Sequence, residues 1–180
     1  NEEDKVDNEE YHPEVDNVKA YAFKMVYLAV PYTHPLENVR ELRFEIINRV
    51  SGSLFSYGIF NFSPITHSHV VAEAMKVDGL ATTTKWDFWA EYDCYMISLC
   101  DALWVVCLDG WKRSVGVTAE IIYAQENNIP IKYLDVHLNM ERNTLQLICR
   151  DDSTVFLETK VAPIPGHLQS LIKESRDAIY

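Results

Sequence analysis

The chain is 180 residues long, with 48% hydrophobic and 12% aromatic positions, enough for one compact domain that buries most of its apolar surface. Its net charge of -11, from 27 acidic and 16 basic residues, excludes a nucleic-acid polymer as partner unless a basic stripe overrides the field, and no such stripe is present. Cys94, Cys100, Cys107 and Cys149 show no Cys-x-x-Cys spacing, and no apolar span or leader segment is evident, which predicts a soluble cytoplasmic protein with no membrane partner.

Residues 1–22, beginning Asn1-Glu2-Glu3-Asp4, are acidic and aromatic-poor and predict a flexible arm. Met25 to Val30 is an apolar run stopped by Pro31, the pattern of a central parallel strand buried on both faces. Glu37 to Tyr57 carries Val39, Leu42, Ile46, Ile47, Val50 and Leu54 at helical spacing, and Gly58 ends it. Ile59 to Phe62 reads as a second strand and Ser63 to His69 as a loop, while residues 70–84 fit a short helix and a turn at Asp78-Gly79. Trp86 to Cys100 reads as a helix with Trp89, Tyr92, Asp93, Met96 and Cys100 on one stripe. Ala102 to Leu108 is a strand, Val115 to Asn127 a helix, and Ile131 to Leu134 a fourth strand. From Asp135 the pattern changes to a hairpin of Leu145–Cys149 and Thr154–Leu157, and then to a helix from Gly166 to Ala178.

Strands alternating with helices predict an α/β fold, a doubly wound parallel sheet of flavodoxin or Rossmann type with helices on both faces. The C-terminal hairpin and helix add to it. The domain is expected over residues 23–134, with residues 135–180 as an extension packed on it. Ligands in such sheets bind beyond the carboxyl ends of the strands. The turn of Pro31, Tyr32, Thr33 and His34, the Ser63-to-His69 loop and the Asp109-to-Ser114 turn should therefore converge. Pro31, His34, Ser63, His67, His69, Gly110, Trp111, Ser114 and Gly116 are accordingly the substrate-binding candidates.

Ser114-Val115-Gly116-Val117-Thr118-Ala119-Glu120 follows an apolar strand and opens a helix. Such a helix aims free N–H groups at an anion and sets the Glu120 carboxylate about 9 Å along the axis. Ser114 also fits a plain N-cap, and Glu120 a solvated helix glutamate. His67 and His69 share one face of an extended segment, a metal-binding spacing, but no third ligand matches it and no metal is assigned. The aromatic group of Trp86, Phe88, Trp89 and Tyr92 reads as core, which leaves Trp111 as the stacking candidate for a planar ligand.

Tyr27-Leu28-Ala29-Val30-Pro31-Tyr32, Trp86 to Asp93, Asp101, and Gly110-Trp111 through Ser114-x-Gly116-Val117-x-x-Glu120 together resemble the nucleoside 2-deoxyribosyltransferase-like superfamily. Ser63-Pro64-Ile65-x-His67-Ser68-His69 with the Gly-Trp-x-x-Ser turn resembles its DUF1937 branch of bacterial and phage proteins. The resemblance spans residues 25–134. It implies cleavage or exchange of an N-glycosidic bond in a nucleoside or nucleoside 5′-monophosphate. Glu120 is the implied nucleophile, with Asp93 and Asp101 positioning the sugar or protonating the departing base and Tyr32 near the nucleophile. It further implies a 5′-phosphate on Ser114, no cofactor, and a homo-oligomer. Trp111-Lys112-Arg113 departs from the smaller residues of many deoxyribosyltransferases, and its two cations favour a phosphate-bearing ligand. Such chemistry needs two acids in unlike environments. Burial on its stripe should raise the pKa of Asp93, and the helix start should keep Glu120 ionised. The alternative is a nucleotide-binding protein that uses the same cleft without turnover.

Overall fold

The computed structural model describes residues 24–81 and 86–172. The elements run β1 (Met25–Ala29), α1 (Glu37–Ser56), β2 (Phe60–Phe62), α2 (Pro64–Val77), α3 (Trp86–Ser98), β3 (Ala102–Val106), α4 (Val115–Glu126), β4 (Ile131–Asn139), β5 (Thr144–Cys149) and β6 (Val155–Lys160). They form one six-stranded sheet in the order β2-β1-β3-β4-β5-β6. β2, β1, β3 and β4 pair in parallel, with Tyr27 opposite Phe62 and Leu103, and Val106 opposite Leu134.

The apolar runs of β1 and β3 are buried on both faces, and their alternate residues feed two cores. Val26, Leu28, Trp104 and Val106 pack with Leu42, Ile46, Ile47 and Val50 of α1 on one face. Tyr27, Ala29, Leu103 and Val105 pack with Ile97 of α3 and with Val117 and Ala124 of α4 on the other. Gly58, with φ of 74°, ends α1 in the left-handed turn that glycine adopts without strain.

The four expected strands pair in parallel, but the expected C-terminal hairpin continues the same sheet antiparallel, so the sheet is mixed and not a purely parallel one with a separate hairpin. β4 does not stop at Leu134 but runs to Asn139, and β4-β5 and β5-β6 pair antiparallel. Its second half alternates apolar and polar residues, Leu134-Asp135-Val136-His137-Leu138, the signature of a strand with one wetter face. The hairpin is therefore part of the sheet: Leu138, Leu145, Leu147 and Phe156 join the α1-side core, and Trp104 meets Phe156 edge-on with ring centroids 5.3 Å apart.

The expected Ser63–His69 loop is instead the start of α2. Ser63 is extended at the N-cap position and Pro64 takes the first turn, where a missing N–H costs nothing and a fixed φ suits the helix. On a helix His67 and His69 lie about 200° apart, so the shared-face argument for a metal pair fails. α3 ends at Ser98, short of Cys100, and buries Asp93 and Ile97, leaving Tyr92 at the edge of exposure. A short 3-10 turn occupies Gly166–Leu168 and residues 169–172 are helical. The rest of the expected terminal helix, the acidic arm and residues 82–84 lie outside the described residues. Among the described residues no helix is long and apolar enough to cross a membrane.

Candidate functional site

A cleft of about 400 Å³ opens beyond the carboxyl ends of β1 and β3. The strand order reverses between these two strands, so the connections leave them in opposite directions and a crevice opens there. The β1–α1 loop contributes Val30, Tyr32 and Thr33, α2 contributes Pro64, Ile65 and Ser68, and α3 contributes Trp86, Trp89 and Asp93. Arg113, Ser114, Gly116 and Glu120 line it from the tip of α4.

Glu120 lies on the second turn of α4 and is only 3% exposed. Its Oε1 accepts a 2.6 Å hydrogen bond from the Tyr27 hydroxyl of β1, which is wholly buried. Burial pushes the Glu120 carboxyl well above the usual carboxylate range; the Tyr27 bond works against this and the charge of Asp93 adds to it. The expected ionisation by the helix start is thus corrected. The dipole acts within the first turn, Glu120 is beyond it, and desolvation dominates. Tyr27 is held well above the ordinary phenol value by burial and then by the charge of Glu120, so it remains a proton donor.

Asp93 of α3 is 5% exposed, and burial raises its carboxyl to about 7. Its Oδ1 has no hydrogen-bond partner among the described residues. An orphaned buried oxygen is costly unless something fills its valence, and this one belongs to a residue on the wall of the cleft. Two acids thus share the site, one tied to a phenol and one with an oxygen unpaired among the described residues.

Ser114 does act as N-cap: its Oγ accepts the Val117 N–H at 3.3 Å. A Cβ on Gly116 would stand 3.4 Å from Cε3 of Trp86, an ordinary contact, so α4 and Trp86 form facing walls. Tyr32 lines the cleft, yet its hydroxyl bonds Nδ1 of His69 and no bond to Glu120 is seen. Tyr27 holds Glu120 instead.

Other candidates stand apart from the cleft. Asp101 is exposed at the amino end of β3, where its Oδ2 accepts the Met25 N–H at 2.8 Å. Parallel strands put that end on the opposite edge of the sheet, so Asp101 cannot serve the same site. Trp111 packs on Tyr133, ring centroids 5.5 Å apart, with Lys112 and Arg150 over its faces, and is not the stacking wall. Pro31 is buried behind the lining, and the His34 ring accepts the Leu36 N–H at 3.1 Å. Ser63 is buried with its Oγ unpaired among the described residues, His67 is exposed beside Tyr92, and His69 stacks on Phe44.

Besides Tyr27, three positions are not among the sequence-predicted site residues. Trp86 and Trp89 read as core, but both line the cleft. Arg43, on the buried side of α1, donates to the Tyr32 and Thr33 carbonyls at 3.3 and 3.1 Å and to the Asp109 carbonyl at 2.8 Å. It binds the first loop to the third, and Gly110, at φ of 84°, brings the backbone so close that a Cβ would stand 3.2 Å from the guanidinium. An arginine among Leu42, Ile46 and Ile47 was the available signal, since a cation on an apolar face needs acceptors.

No curated protein matches the chain at a significant level. A family model described as a domain of unknown function, DUF1937, matches residues 24–135. That stretch is more than half of the chain and contains every residue on the wall of the cleft. The two buried acids, the Tyr27 bond and the α4 tip all lie in the matched segment, and the chain belongs to the DUF1937 family.

Proposed function

We propose that this protein cleaves or exchanges the N-glycosidic bond of a nucleoside or nucleoside 5′-monophosphate, with Glu120 as nucleophile. The observation that carries the reading is the pair of buried carboxyls on one cleft, Glu120 tied to Tyr27 and Asp93 lifted to about 7. At neutral pH a carboxyl of that pKa is partly protonated and suits general acid catalysis. Asp93 donates its proton to the departing base nitrogen as the C1′–N bond breaks and its electron pair leaves with the base. Glu120 reacts from its carboxylate form, its proton given up to water before the substrate closes over it; it bonds C1′ as the sugar gains positive charge, or neutralises that charge, and the Tyr27 O–H stabilises the carboxylate. Water then attacks C1′, Asp93 takes back the proton, and Glu120 is released; a second base in place of water gives exchange.

Trp86 and Trp89 offer planar faces to a base. Arg113 and the α4 tip offer a cation and backbone N–H groups to a 5′-phosphate. The same reading takes the parallel strands as a doubly wound, Rossmann-like sheet, residues 135–180 as an extension of the same domain, and the protein as a cytoplasmic homo-oligomer. Its ligand is a small molecule, with no cofactor.

The rival reading is a nucleotide-binding protein without turnover. It is favoured by the burial that raises both carboxyls, since neutral acids serve as hydrogen-bond donors. Incubation with a panel of nucleosides and 5′-monophosphates, with released base read by chromatography, separates the two. Release by the wild type, lowered more than about a thousandfold in Glu120→Ala, is expected for a nucleophile. A thermal shift with one nucleotide and no free base would select the rival.

A further inference from the structure

Tyr32 and His69 form a pair that the proposed chemistry leaves unused. Tyr32 lines the cleft from the β1–α1 loop, and its hydroxyl meets Nδ1 of His69 on α2. His69 is fixed on two sides. Its ring stacks on Phe44 of α1 with centroids 4.1 Å apart and planes 25° from parallel, and it meets the Tyr32 ring edge-on at 5.7 Å. The packing fixes the plane of the imidazole, and the Tyr32 bond selects between its two orientations, since a half-turn within that plane would set Cδ2 in place of Nδ1 against the hydroxyl.

A phenol carries one proton, and a neutral imidazole carries one on either nitrogen. If the bare nitrogen is Nδ1, it accepts the Tyr32 proton, and the Tyr32 oxygen shows only lone pairs to the cleft. Once His69 is protonated, Nδ1 donates to that oxygen and the phenol proton must point elsewhere. The cleft is the open direction. We propose that Tyr32 is a specificity-determining residue whose hydrogen-bonding polarity toward the ligand is set by His69: neutral His69 makes Tyr32 an acceptor for a donating ligand group, charged His69 makes it a donor. On the glycosidic reading, from which the identity of that group is taken, it is a sugar hydroxyl.

The charged groups around the pair come from both helices. Glu73 of α2 and Glu41 and Arg40 of α1 face His69, and Arg40, Glu73 and Glu37 face Tyr32. The two carboxylates favour the charged ring. Burial outweighs them and holds His69 below the ordinary histidine value, while it pushes Tyr32 up. The ring is therefore neutral at neutral pH, and with its proton on Nε2 Tyr32 is in the acceptor state.

The first arm of the test needs no turnover. In protein labelled with ¹⁵N-histidine, His69 should show a bare Nδ1 and a protonated Nε2 at neutral pH, and should titrate below the ordinary range. A neutral ring with its proton on Nδ1 would overturn the proposal. The second arm reads KM for base release against pH. In the wild type KM should rise about three- to tenfold as His69 charges, the worth of one hydrogen bond. In His69→Asn, whose amide stands near Nδ1 and does not titrate, that rise should vanish; in Tyr32→Phe, KM should be raised and flat. A rise that persists unchanged in His69→Asn would overturn the proposal. Where nothing in the panel is turned over, the same comparison is made on the Kd of the bound nucleotide, so failure of the glycosidic reading and failure of this one are separate results.

Discussion

A buried carboxyl resists ionisation, and Asp93 is such a group, with its pKa raised to about 7 by burial and its Oδ1 unpaired among the described residues. A carboxyl whose folded pKa lies above its unfolded one stabilises the fold fully below the unfolded value, and that stabilisation is lost as pH rises through the folded value. Asp93→Asn should therefore match or trail the wild type in acid and exceed it above neutrality. The gap should open between about pH 4 and 7 and reach at most ~4 kcal/mol, about 1.4 kcal/mol per unit. Denaturant unfolding at a series of pH values checks this, and a variant less stable than wild type at the alkaline end would show that Asp93 is ionised and paired. If Asp93 is the general acid, the same substitution should slow base release about 10²- to 10⁴-fold. Wild-type release should then fall as pH passes about 7, the pKa of Asp93.

At the scale of the element, the capping of α4 and the phosphate contact proposed for its tip are separable by substitution. Its first turn is capped by Ser114 through the Val117 N–H, and loss of such a cap costs about 1 kcal/mol. Ser114→Ala should lower stability by that amount in urea melts whatever the protein binds. If the helix tip also holds a phosphate, KM for a 5′-monophosphate should rise in Ser114→Ala while KM for the free nucleoside stays unchanged. Equal changes for both would assign Ser114 to capping alone. The tip is oriented by its preceding loop, which Arg43 fastens to the β1–α1 loop through three carbonyls. A planar guanidinium reaches all three acceptors from one position, which an ammonium does not reproduce.

Across the whole molecule, the two halves of the sheet share one core. Trp104 of β3 and Phe156 of β6 pack together, and Leu138, Leu145 and Leu147 join Val26 and Leu28 in one cluster. Phe156 is 1% exposed, and truncation of a buried phenylalanine costs roughly 3–5 kcal/mol. Phe156→Ala should shift a single cooperative transition, with tryptophan fluorescence and far-UV circular dichroism moving together. Two separated transitions would mark residues 135–172 as an independent unit. The net charge of -11 sets a negative long-range field, and the proposed function requires a small anion to respond instead to the local donors of the α4 tip.

Much of the fold was legible in the chain because periodicity is local. The runs Met25–Ala29 and Ala102–Val106, the helical spacing of Leu42, Ile46, Ile47 and Val50, and the Ser114 helix start are written in consecutive residues. The turn at Gly58 and the raised pKa of Asp93 follow from the same patterns. What tertiary structure alone decided depends on segments far apart in the chain. Asp101 borders β3 but sits at the wrong end of a parallel sheet, and Trp111 turns to Tyr133. Tyr27 reaches Glu120 across 93 residues. The ionisation of Glu120 was misjudged because helix position is a property of sequence, whereas desolvation is set by whatever the rest of the chain folds over the carboxyl.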